Sequence, residues 1–127
     1  MANRVRWEAQ FVVGNEALDA QHRRAIEQIN ALADCLDDGK EERFDAEFKE
    51  LMRLAGEHFA AEEALLFSKG YPEIDDYRSE REEFGYLADE IITTAHFDRQ
   101  ELQRFLALWW SGHIVGAARK QRAFFEK

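Results

Sequence analysis

His58 and Glu62, the two ends of His58-Phe59-Ala60-Ala61-Glu62, are four residues apart, which places them on one face of a helix. Phe44, Phe48, Leu51, Ala55, His58, Glu62 and Leu65 form an unbroken alternation of threes and fours. An imidazole and a carboxylate therefore lie on the stripe that turns toward a core. A carboxylate buried there without a partner would cost several kcal/mol or take up a proton, so something must satisfy Glu62. Two more histidines lie on apolar stripes of the same kind. His22 follows Leu18 and precedes Ala25, Ile29, Leu32 and Leu36, and His113 lies in the series Leu102, Leu106, Trp109, His113, Gly116, Lys120. Histidine with carboxylate is a donor set for iron, zinc or manganese.

Four long helices are expected to carry these residues. A 127-residue chain with 46% hydrophobic and 34% charged residues reads as one globular domain, 1–127, with one sizeable core. An arm spans about residues 1–14, with Trp7 expected to pack over the bundle. Helices are expected at about 16–38, 44–69, 72–94 and 99–126. Asp37-Asp38-Gly39-Lys40 marks the first stop and Gly70-Tyr71-Pro72 the second, with Pro72 suited to a first helical turn. The third turn falls near Thr94–Phe97, with Asp98 as helix cap. His96 in that turn reads as an ordinary surface or capping histidine. Four helices joined by short turns imply an all-α, up-down-up-down antiparallel bundle with an extended N-terminal arm.

Depth along the bundle brings the polar core residues together. At about 1.5 Å per residue, His22 lies roughly 9 Å from the start of the first helix, and His58 and Glu62 roughly 10–16 Å from the end of the second. Tyr77 and Arg81 lie roughly 6–12 Å from the start of the third helix, and His113 roughly 20 Å from the end of the fourth. In this topology those four ends meet at one end of the bundle. A single core histidine is more often structural than a ligand; three, with a carboxylate, are harder to dismiss.

The bulk properties exclude other classes. Net charge is -9, and no dense basic patch exists for nucleic acid or an anionic membrane. The start lacks a signal peptide's apolar run, and no segment has membrane-spanning length, so a soluble cytoplasmic protein is expected. The lone Cys35 forms no intramolecular disulfide. There is no nucleophile beside a base and no phosphate-binding glycine loop, so an enzyme is not expected.

At these residues the chain resembles the bacteriohemerythrins, nearly end to end. The arm with Trp7 and Phe11-Val12-Val13-Gly14-Asn15 is similar to that family's opening. Leu18-Asp19-Ala20-Gln21-His22 resembles its first histidine motif and His58 to Glu63 its His-x-x-x-Glu motif. Gly70-Tyr71-Pro72 resembles its turn into the third helix, and Trp109 to Ile114 its last histidine motif. The resemblance implies a bundle that holds two irons through five histidines and two bridging carboxylates and binds O2 reversibly. This chain departs from that pattern at three positions. Tyr77 and Arg81 replace histidines and Ala118 replaces a bridging aspartate. By this resemblance His22 and His58 match the ligands of one iron and Glu62 matches a bridge, while only His113 remains of the second iron's histidines.

The losses argue against a second metal. Arginine stays protonated in proteins, so Arg81 would set a fixed cation where the second iron is expected. The family's two-electron reduction of O2, one electron from each ferrous ion, would then lack its second donor. Two readings remain open. In one, a single metal, iron or else zinc or manganese, is held by His22, His58 and Glu62, with His113 or Tyr77 as a further ligand; a Tyr77 phenolate would favour ferric iron. The protein would then sense or hold O2, NO or iron. In the other there is no metal. Arg81 pairs with Glu62, replacing either partner costs roughly 3–5 kcal/mol, and the bundle is a regulatory or protein-interaction module. Two histidines beside the glutamate are more than a salt bridge needs, which favours the first reading. Glu63 is expected to be a solvated neighbour. A peroxidase-like activity at a lone iron ranks last, since nothing points to a substrate.

Overall fold

The computed structural model describes residues 3–94 and 97–125, without the side chains of 123 and 125. Helix α1 runs Glu16–Asp37, α2 Glu41–Ser68, α3 Ile74–Thr93 and α4 Arg99–Phe125. Helices α1 and α3 each pack on both α2 and α4. With three short connections this closes the expected four-helix bundle. His96 lies outside the described residues, as does the expected last residue of the fourth helix, 126.

Local chemistry accounts for the helix ends. Asn15 caps α1, its side chain accepting from the Leu18 amide at 3.0 Å. Gly39 and Gly70, both with φ near +70°, close α1 and α2. Beyond them the Lys40 and Tyr71 amides donate back to the Cys35 and Leu66 carbonyls at 2.9 Å, a glycine-dependent helix stop. Asp98 caps α4 as expected, accepting from Gln100 and Glu101. Two boundaries shift. Helix α2 starts at Glu41, where Glu41 and Glu42 suit the positive end of the helix dipole. Helix α3 starts at Ile74 rather than Pro72; its first turn closes from the Tyr77 amide to the Glu73 carbonyl.

Phe44, Phe84, Ile29, Leu32, Leu51, Leu102, Leu106 and Trp110 are at most 2% exposed and form the centre of the core. Along α4 the buried stripe is Leu102, Leu106, Trp110, His113, Ala117 and Gln121. Trp109 is half-buried and Lys120 exposed, so the face expected from the sequence is rotated by one residue on either side of His113. Helix α3 buries only Tyr77, Phe84 and Ala88. Arg81, expected at a core position, is not among them.

The arm is pinned at several points. Asn30 exchanges two 2.8 Å hydrogen bonds with the Val5 backbone, and Asp19 accepts from the Val13 amide at 2.9 Å. The Arg122 guanidinium donates to the Val12 carbonyl. A 3-10 turn, Ala9–Phe11, interrupts the expected extended run. Trp7 packs over the bundle as expected, edge-on to Phe11 and with the Arg23 guanidinium 4.5 Å from its ring centre. Among the described residues no helix is long and apolar enough to cross a membrane.

Candidate metal centre

Three helices bring His22, His58, Glu62 and His113 to one buried point. His22 and Glu62 are 0% exposed, His58 2% and His113 5%. One donor atom from each lies within 4.8 Å of all the others, and among the described residues this is the one cluster of His, Cys, Asp or Glu so placed. Nε2 of His22 is 3.1 Å from Nε2 of His58. The Glu62 carboxylate lies 3.6 Å from Nε2 of His22, 3.4 Å from that of His58 and 3.2 Å from that of His113.

Two of the imidazoles are held from behind. The Nδ1–H of His58 donates to the Gln21 amide oxygen at 2.8 Å, and the Nδ1–H of His113 donates to Glu80 at 2.9 Å. Each contact turns Nε2 toward Glu62 and fixes the tautomer from outside, as is usual behind metal-ligating histidines. The Trp109 indole stacks on His113 at 5.0 Å, with an 11° angle between planes, and Trp110 packs edge-on against it. Sequence reasoning missed Gln21 and Glu80. Gln21 lies three residues after Leu18 and four before Ala25, and Glu80 three after Tyr77 and four before Phe84, so helical register was a usable signal for both.

The buried charges answer what satisfies Glu62. Burial opposes its ionisation, yet the three imidazoles, His113 foremost, hold its carboxyl well below the usual carboxylate range. Burial works against a charge on His113 too, but Glu62 and Glu80 on either side push its pKa up to about 9. His22 goes the other way. Burial, reinforced by the neighbouring imidazoles, lowers it to about 4 despite Glu62. Among the imidazoles, His113 is thus the main counterpart of the Glu62 carboxylate.

The expected partner, Arg81, is elsewhere. Its guanidinium lies 3.5 Å from Glu63, not Glu62, and 5.8 Å from the Phe59 ring centre, with the side chain 37% exposed. A long stem lets a residue at a core register carry its charge out to water. Glu63 is correspondingly no mere solvated neighbour: it also accepts from Arg78 at 3.0 Å. Tyr77 is buried near His113, with 6.4 Å between ring centres, but its hydroxyl donates to the Phe59 carbonyl at 3.3 Å. Burial and the Glu62 charge hold that phenol protonated, above its usual range. Ala118 is buried in a small apolar cluster with Val13, Leu18 and Ala117.

The donor set suits a cation. Both Glu62 oxygens and Nε2 of His113 are buried without a hydrogen bond of ordinary geometry, which a metal ion would resolve. Four contacts within the cluster, shared between the two Glu62 oxygens, span 3.1–3.6 Å. Beside His113 a cavity of about 350 Å³ opens between α3 and α4, lined in part by Tyr77, Glu80, Gly112, Gly116 and Gln121. Of the four cluster residues, His113 lines this cavity.

Comparison with known proteins agrees with this arrangement. Residues 13–117 match the family model described as the hemerythrin HHE cation binding domain. The chain is 28% identical over 116 residues to a hemerythrin-like protein of Naegleria gruberi, covering 91% of this chain and 89% of the relative. It is 31% identical over 112 residues to a bacteriohemerythrin of Pseudomonas aeruginosa, covering 85% of this chain and 72% of the relative. A bacteriohemerythrin of Stenotrophomonas maltophilia is 28% identical over 119 residues. No solved structure matches. With a bundle of this topology, a buried histidine–glutamate cluster and a family match spanning most of its length, the chain belongs to the hemerythrin family.

Proposed function

We propose that this protein holds one metal ion per chain at His22, His58, Glu62 and His113, and that it binds or senses iron, O2 or NO. One observation carries the reading. One buried donor atom from each of four residues lies within 4.8 Å of all the others, close enough for one ion to reach them together. Iron is the first candidate because the family resemblance implies it; zinc and manganese accept the same donors. A ferrous ion there would supply a redox-active centre.

The chain's own residues define the rest. His22, His58 and His113 present Nε2 atoms, and Glu62 supplies the negative charge. Gln21 and Glu80 orient two of the rings, Trp109 and Trp110 shield His113 from water, and the cavity beside Tyr77 admits small ligands. A second metal has little to bind. Tyr77 and Arg81 are engaged with Phe59 and Glu63, and Ala118 offers no donor. The role inferred is binding rather than catalysis. The metal-free reading cannot keep its Arg81–Glu62 pair, because Arg81 lies against Glu63.

The test is metal content per chain after growth in iron-supplemented medium, followed by reconstitution of the stripped protein with Fe(II), Zn(II) or Mn(II). One equivalent, lost in Glu62→Gln and His58→Ala, is expected. Two irons per chain, or none after reconstitution, would overturn the proposal.

A further inference from the structure

Helix α3 is the one helix that gives the cluster no donor among the described residues. Its polar residues near the site point to other tasks, Tyr77 to the Phe59 carbonyl and Arg81 to Glu63. Glu80 is different. It is half-exposed at the mouth of the cavity, yet its carboxylate lies 2.9 Å from Nδ1 of the buried His113. The opposite nitrogen of the same ring, Nε2, faces Glu62 at 3.2 Å and has no hydrogen bond of ordinary geometry. A ring gripped at Nδ1 by an acceptor keeps its proton there and leaves the Nε2 lone pair to a metal. Trp109 stacked on one face restricts the ring's tilt but cannot choose the tautomer, since a stacking contact does not distinguish the two nitrogens.

We propose that Glu80 is a positioning residue for the metal centre, through which α3 fixes the orientation and tautomer of His113 so that its Nε2 joins His22, His58 and Glu62 around a single ion. The inference rests on the single-metal reading above. His58 has an equivalent support in Gln21 from α1, but a neutral one. The carboxylate behind His113 makes that imidazole the more electron-rich donor. In this chain α3 acts on the site from its outer side.

The experiment titrates wild type, Glu80→Ala, Glu80→Gln and the exposed control Glu83→Ala with Zn(II) in competition with a chromophoric chelator. Visible spectra of the Co(II) forms report coordination geometry. Glu80→Ala is expected to weaken zinc binding by about 10–100-fold and to shift the cobalt bands. Glu80→Gln should recover most of the loss, because its amide oxygen still accepts from Nδ1–H, and Glu83→Ala should match wild type. Zinc affinity within twofold of wild type in Glu80→Ala, with an unchanged cobalt spectrum, overturns the proposal. So does Glu80→Gln as weak as Glu80→Ala, or an equal loss in Glu83→Ala, which would reduce the effect to charge at a distance. Wild type that takes up no metal would instead defeat the single-metal reading itself, so the two failures are distinguishable.

Discussion

The two sides of the site layer differ in what they do with polar residues. On the side built by α1, α2 and α4, His22, His58, Glu62 and His113 turn inward and meet within a few ångströms. On the α3 side, and at Ala118 of α4, the same depth holds a phenol bonded to backbone, a guanidinium reaching to the surface and an alanine in an apolar cluster. Donors gather where α1, α2 and α4 meet, while the same depth on α3 and at Ala118 is ordinary packing. Arg81, which could have placed a cation against Glu62, instead pairs with Glu63 near the surface.

The contrast can be broken by changing either side. The largest effect is expected on the donor side. Glu62→Gln removes the only buried carboxylate among three imidazoles, and metal affinity should fall on the order of 100-fold or more. Equilibrium dialysis checks this, and an affinity close to wild type would move the site elsewhere. Next comes Ala118→Asp. Without the α3 histidines it buries a carboxylate against Val13, Leu18 and Ala117, and denaturant unfolding should show a loss of several kcal/mol. If stability were unchanged, that side would accommodate an acid, and the contrast between the two sides would be weaker.

Changing pH tests the electrostatics of the metal-free cluster. The charged form of His113, with its pKa raised to about 9, stabilises the fold fully below about pH 6.5, and that contribution is lost as pH rises through about 9. His22, lowered to about 4, acts in the opposite direction: its contribution is present above 6.5 and lost as pH falls toward 4. Thermal melts with a chelator present should therefore peak near pH 6.5. A plateau up to pH 9 would contradict an imidazolium at His113. Metal binding must displace that proton, so affinity should rise with pH up to about 9.

The smallest effects belong to the α3 side. Tyr77→Phe removes one hydrogen bond to the Phe59 carbonyl and should lower stability by about 1 kcal/mol. Metal stoichiometry and spectrum should not change, whereas loss of a visible phenolate-to-iron band would establish Tyr77 as a ligand. Arg81→Leu removes a partly exposed ion pair and should cost less than about 1 kcal/mol in chemical denaturation. A loss several times larger would reinstate the buried Arg81–Glu62 pair.

Much of the donor side was legible in the sequence. The spacing of threes and fours put His22, His58, Glu62 and His113 on core faces, and depth along four antiparallel helices put them in one layer. Neither inference depends on fine rotation of the helices. Where rotation mattered, the sequence was ambiguous. Trp109 and Trp110 are neighbours about 100° apart on α4, and packing made Trp110 the buried one. Gln21 and Glu80 were missed for the same reason, since a contact across helices requires the two faces to be aligned.

The sequence by itself determined the four helices, their turns and the donors that face inward, because periodicity and turn chemistry act over a few residues. Tertiary structure alone decided where the long and amphipathic side chains ended. Arg81 went to Glu63, Tyr77 to the Phe59 carbonyl and Glu80 to His113. A register fixes where a side chain leaves its helix. Where its polar end comes to rest depends on which neighbouring helix brings a partner within reach.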